Sequence, residues 1–128
     1  MKMYVYKHRD FIKESCEVQK AITGAVANLY KRIKNYEDQN ISFEKIVNDD
    51  HVKYDQYGKF YAYKIKKPNM QLRILYSYIV IDGTPIVLVG DFFIKKKNNK
   101  KYISEFDCIA KTLDPYTIYK SSECVANF

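Results

Sequence analysis

The chain predicts an α+β fold: a small antiparallel β-sheet, made of a three-strand meander plus an N-terminal strand, packed with two N-terminal helices and one C-terminal helix. Three observations predict it. Two long β-rich runs, 71–81 and 84–94, are separated only by Asp82-Gly83, residue types that accept positive φ and suit a two-residue type I′ hairpin turn. Residues 60–67 alternate, with Tyr61, Tyr63 and Ile65 on one side and Ala62, Lys64 and Lys66 on the other, as a strand with one buried face does. On either side of this block, apolar residues return at three- and four-residue spacing, the period of a helix.

In chain order, residues 3–7 (Met-Tyr-Val-Tyr-Lys) form a short β-rich segment that adds a strand to the sheet. From Asp10, an N-cap, the apolar positions Ile12, Cys16, Ile22, Ala25, Val26, Leu29, Tyr30 and Ile33 mark one amphipathic helix ending near Asn35. Gly24 costs roughly 1 kcal/mol inside such a helix, which points to close packing there. Ser42 caps a short second helix through Val47, with Phe43, Ile46 and Val47 turned inward. Residues 48–57 show no period and read as a connecting loop with extended pieces. Pro68-Asn69 turns the chain between the first two strands of the meander. In the simple hairpin register Ile81 faces Thr84 and, counting outward, Arg73 faces Phe92. Beyond Lys97, Asn98 or Asn99 caps a helix striped by Ile103, Phe106, Ile109, Ala110 and Leu113, which Pro115 ends. Residues 116–128 have no clear period and form a tail or a strap over the sheet.

At 128 residues, with 47% hydrophobic and 16% aromatic side chains, residues 1–128 fit one domain with a core that needs no metal or disulfide staple. Apolar runs are strand-sized, so neither a signal peptide nor a spanning helix is expected, and the location expected is cytoplasmic. Cys16, Cys108 and Cys124 are odd in number and lack ligand spacing, which reads as reduced thiols. There is no glycine-rich phosphate loop and no HExxH, and two scattered histidines do not build a zinc site. No metal or other cofactor is therefore expected, and His51 reads as a surface histidine. The charge is localised: residues 59–101 hold ten Lys or Arg against Asp82 and Asp91, a net +8, while the remainder sums to −1. A basic surface of this kind suits a polyanion such as nucleic acid.

What the segment offers for chemistry is lysine, arginine and tyrosine. Such a set binds phosphates, and it also suffices to cleave RNA. The 2′-hydroxyl is a built-in nucleophile that needs only a base, stabilisation of charge on phosphate and a proton for the leaving group. A lysine crowded by other cations gives up its proton more readily, whereas an arginine keeps its charge and presents a fixed fork of donors. Lysine thus suits the base and arginine the phosphate clamp.

The order of a strand, two helices, an Arg-Ile-Leu-Tyr strand, a hairpin, a strand ending in Phe-Ile-Lys-Lys and a closing helix resembles the RelE/HigB-like toxin superfamily. Tyr63-Lys64-Ile65-Lys66, Leu72-Arg73-Ile74-Leu75-Tyr76, Ile86-Val87-Leu88-Val89 and Phe93-Ile94-Lys95-Lys96 carry the resemblance, with Tyr102 beyond them. It covers roughly residues 57–113. It implies a ribosome-dependent, metal-independent mRNA endonuclease, the toxin of a toxin–antitoxin pair, with mRNA on the ribosome and a cognate antitoxin protein as partners and no membrane. Residue by residue, Lys64 and Lys66 match the family's basic pair and Arg73 its arginine. Lys95 or Lys96 stands where a further basic residue falls, and Tyr102 where some members carry a tyrosine. The implied catalytic set is Lys64, Lys66, Arg73, Lys96 and Tyr102, with Lys59, Lys67, Lys95, Lys97, Lys100 and Lys101 binding RNA. The chain departs from many members in having lysine in its first meander strand, Asn98-Asn99 before the last helix, and a longer tail. The same residues also fit two other readings: a non-catalytic RNA- or DNA-binding module, or an interaction domain for an acidic protein. In the first the same basic sheet binds nucleic acid without cleaving it, and in the second the basic face meets the acidic partner; with no function at all, Lys64 and Lys66 fit the solvated face of an edge strand and Arg73 an ion pair with a nearby acid.

Overall fold

The computed structural model describes residues 2–41, 51–53, 60–68, 70–94, 100–121 and 124–127. Its centre is the hairpin of β4 (Met70–Ile81) and β5 (Thr84–Ile94), turned by Asp82 and Gly83, both at positive φ (50° and 77°). This is the expected turn, for the expected reason. β3 (Tyr61–Lys67) pairs antiparallel with β4 and completes the meander, and β2 (His51–Lys53) adds to its outer edge. On the other side β1 (Lys2–Val5) lies against β5, and β6 (Cys124–Asn127) against β1, giving the order β2-β3-β4-β5-β1-β6. β1 runs parallel to β5, so the sheet is mixed where an antiparallel one was expected. The tail supplies an edge strand.

The hairpin register departs from simple counting at one place. Ile81 faces Thr84 as expected, but between Leu75 and Tyr76 the pairing shifts: Tyr76 faces Val89 and Leu75 faces Asp91. Gly90 is the extra residue of a β-bulge, and Arg73 consequently faces Phe93, not Phe92. A Cβ on Gly90 would come within 3.4 Å of the Phe60 ring and 3.5 Å of Ile109, so the bulge is closely packed. It also reverses the alternation along β5. Val87, Val89 and then Phe92 enter one core cluster, while Leu88 and Phe93 enter the other.

Those clusters lie on opposite faces of the sheet, which is why Ile86 to Phe93 is buried without a break; a strand covered on both faces reads as a continuous apolar run. The first face is covered by α1 (His8–Lys13) and α2 (Cys16–Asp38) through Phe11, Val18, Ile22, Val26, Leu29 and Ile33. The single helix expected from Asp10 is thus two. Ser15 caps α2 by accepting a hydrogen bond from the Val18 amide at 3.3 Å, and the Gln19 side chain donates to the carbonyls of Ile12 and Glu14. The assumed apolar stripe was wrong at its start, since Ile12 is 55% exposed and Cys16 is exposed, whereas Phe11 and Val18 are buried. α2 ends beyond Asn35, at Asn40 with φ 57°, where the Asn40 and Ile41 amides bond to the carbonyls of Glu37 and Tyr36, a Schellman closure. Gly24 is exposed and a Cβ there would meet nothing within 4 Å, so the close packing expected of it is absent. The helix expected at 42–47 lies outside the described residues.

On the second face, α3 (Lys100–Thr112) packs Phe106, Ile109 and Ala110 against Phe60, Leu75, Leu88 and Phe93. The stripe is the expected one. α3 ends before Pro115 as expected; Pro115 is buried and opens α4 (Pro115–Ser121), a role its fixed φ suits at a first helical position, where a tail without a period was expected. Ile118 joins the core, and Tyr119 meets Tyr4 edge-on at 4.7 Å.

Candidate functional site

Alternation along β3 and β4 decides which side chains share a face. Lys64 faces Arg73, Lys66 faces Gln71 and Ala62 faces Leu75. Leu75 and Phe93, on either side of Arg73's row, belong to the cluster beneath α3, so Lys64, Lys66 and Arg73 stand on that face, towards the Pro68 end of the two strands. Directly opposed side chains in an antiparallel pair have Cβ atoms about 4.5–5.5 Å apart. The structure therefore brings together three of the five expected catalytic residues in two adjacent rows. Lys64 and Arg73 are half-buried, whereas Lys66 and Lys67 are exposed. Lys67 faces Met70 and alternates to the other face.

Arg73 Nη1 donates to the Leu72 carbonyl at 3.0 Å, and among the described residues neither Arg73 nor Lys64 pairs with a carboxylate. Like charges directly opposed on a sheet cost stability, and partial burial raises that cost by removing water. An anionic phosphate group between them would relieve it, and the guanidinium fork matches non-bridging phosphate oxygens.

Lys59, Lys95, Lys96 and Lys97 lie outside the described residues. Lys100, Lys101 and Tyr102 belong to the first turn of α3, and His51 to β2, by backbone. Among the described residues no group of three or more His, Cys, Asp or Glu is placed to hold a metal ion, and no helix is long and apolar enough to cross a membrane. Cys16 and Cys108 are free and exposed.

A second charged cluster was not foreseen. Lys7 Nζ lies 3.2 Å from Asp91 Oδ2 and 3.2 Å from Glu105 Oε2, and Asp91 Oδ1 accepts from the Phe92 amide at 2.8 Å. Burial pushes the Asp91 carboxyl above the usual carboxylate range, against the opposing pull of Lys7 and the amide. Burial pulls Lys7 down, but Asp91 and Glu105 together outweigh it and raise it. The two directions are compatible because Lys7 has two anions, while Asp91 shares one cation and feels the repulsion of Glu105. Lys7, Asp91 and Glu105 border a cleft of about 300 Å³ with Asp10, Lys13, Glu14 and Phe92; it does not include Lys64, Lys66 or Arg73. The available signal was Asp91 itself, a lone acid in an apolar run, which needs a partner when buried.

No family model matches the chain, and no curated protein or solved structure was found to be similar to it.

Proposed function

We propose that the chain is a metal-independent endoribonuclease, the toxin of a toxin–antitoxin pair, acting in the cytoplasm on mRNA held by the ribosome. The observation that carries the proposal is the cross-strand opposition of Lys64 and Arg73, half-buried cations with no described carboxylate partner. In this reading Lys64 or Lys66 takes the 2′-hydroxyl proton, and the 2′-oxygen attacks the adjacent phosphorus. Arg73 holds the non-bridging oxygens as their charge grows. The bond to the 5′-oxygen breaks, leaving a 2′,3′-cyclic phosphate, and Lys96 or Tyr102 protonates the departing oxygen. Lys59, Lys67, Lys95, Lys97, Lys100 and Lys101 follow the RNA backbone, and an antitoxin protein restrains the activity by covering or distorting the Lys64–Arg73 face. The resemblance supplies the ribosome and the antitoxin; the row of cations supports the phosphate chemistry.

Arg73→Ala tests the assignment. Cleavage of ribosome-bound mRNA should fall about 10²–10³-fold, the range for loss of one preorganised donor, while the thermal unfolding midpoint should not fall, because no described acid is orphaned and a like-charge opposition is removed. A stable Arg73→Ala protein cleaving at the wild-type rate would remove Arg73 from the chemistry. Salt-sensitive RNA binding without cleavage by the wild type would instead indicate a binding module.

A further inference from the structure

Among the described residues Asp91 is the buried charged side chain, 3% exposed, and it sits at the bulge. One oxygen accepts from the amide of Phe92, the next residue, and the other meets Lys7, which also holds Glu105 on α3. Three parts of the molecule therefore meet at the Lys7 ammonium: the chain between β1 and α1, the bulged strand through Asp91, and α3 through Glu105. The bulge has a local consequence for the cation row. Without it Arg73 would face Phe92; with it Arg73 faces Phe93, whose ring meets Phe106 of α3 edge-on at 5.1 Å. Phe92 is released to the opposite face, where its ring meets Phe11 at 6.1 Å. Phe106 follows Glu105 in sequence, so the ion pair and the ring contact fix the same turn of α3.

We propose that Asp91, held by the Lys7 ammonium that also holds Glu105, is a positioning residue for Arg73: it locks the Gly90 bulge and, through Lys7, the α3 wall that set where the guanidinium stands. This rests on the reading of the Lys64–Arg73 row as the phosphate site. Asp91 touches no reacting atom in that scheme; it acts through β5 and Phe93. A bulge next to a functional residue is a recurrent way to re-aim a side chain, and an error of about 1 Å in such a group can cost about 10²-fold in rate.

The test uses the full chain with Asp91→Ala, which removes charge and acceptor, and Asp91→Asn, which keeps an acceptor for the Phe92 amide. Three quantities are read: the Nε–Hε NMR resonance of Arg73, kcat and KM for ribosome-bound mRNA, and the same kinetics with Arg73→Ala added. Asp91→Ala should move the Arg73 resonance and lower kcat about 10- to 100-fold with KM within about threefold, and Asp91→Asn should recover part of both. In the Arg73→Ala background the further loss should be under about twofold, since residues acting through one group are not additive. An unmoved Arg73 resonance in a folded variant, or equal losses in both backgrounds, overturns the proposal. If Asp91→Ala does not fold, Asp91→Asn carries the same comparisons, with a smaller shift expected. If the wild type does not cleave, the nuclease reading fails, and the positioning claim stands or falls on the Arg73 resonance.

Discussion

Lys64 and Asp91 show opposite ways of placing charge in a sheet. Lys64 faces another cation and has no described carboxylate partner, an arrangement that costs stability. Asp91 is buried with its partners in place, and its raised carboxyl makes stability depend on pH in a definite sense. A group that binds its proton more tightly when folded stabilises the fold as pH falls from its folded value towards its ordinary one. The stability of the wild type relative to Asp91→Asn should therefore increase between pH 7 and pH 4, as read by urea unfolding at several pH values; a difference that is flat or declines towards acid would contradict the burial-dominated account. Lys7 runs the other way: its contribution is complete below its ordinary value and lost as pH rises through its raised folded value, outside that window. At this scale the sequence was legible where side-chain alternation along a strand suffices, which placed Lys64 and Lys66 on one face; the partner of Arg73 on β5 was off by one residue because of the bulge. The sequence did not reveal the Lys7–Asp91–Glu105 cluster, whose members are up to 98 residues apart.

Among elements, those set by local chemistry were readable and those set by long-range packing were not. Asp82-Gly83 names its own turn, and the stripe of Phe106, Ile109 and Ala110 names its helix. The bulge at Gly90 lies where Phe60 and Ile109 approach the strand closely, neighbours that the hairpin's own residues do not name. Ser15 was overlooked as a cap because Ile12 and Cys16 happened to continue a helical spacing. Pro115 does end α3, as its chemistry suggests, but the helix that it opens had no legible period. Residues 95–101, with five lysines in seven positions, are also the most basic part of the chain. Neutralising Lys95, Lys96 and Lys97 together should lower the salt dependence of RNA binding by about 2 in the log–log slope, at roughly 0.7 per phosphate contact on single strands. An unchanged slope would place these lysines away from the backbone.

For the whole molecule, helices cover both faces of the sheet, yet a basic row remains at the end of the meander. The α+β class and the meander followed from period and turn chemistry, while the parallel β1–β5 pairing and the edge strand β6 join segments more than 80 residues apart in sequence, and no local pattern encodes that adjacency. The +7 excess favours encounter with a polyanion, but charge alone does not distinguish binding from cleavage. That distinction lies with the nucleophile. In the proposed scheme it belongs to the substrate, so replacing one 2′-hydroxyl by hydrogen removes the reaction without changing a protein atom. The most direct measurement is therefore cleavage of mRNA on translating ribosomes by the purified chain, with and without a single 2′-deoxynucleotide at the mapped cut. The account predicts cleavage of the unmodified message to a 2′,3′-cyclic phosphate and a 5′-hydroxyl, and none at the deoxy position. Unchanged cleavage there, or no cleavage of the unmodified message by folded protein, would contradict it.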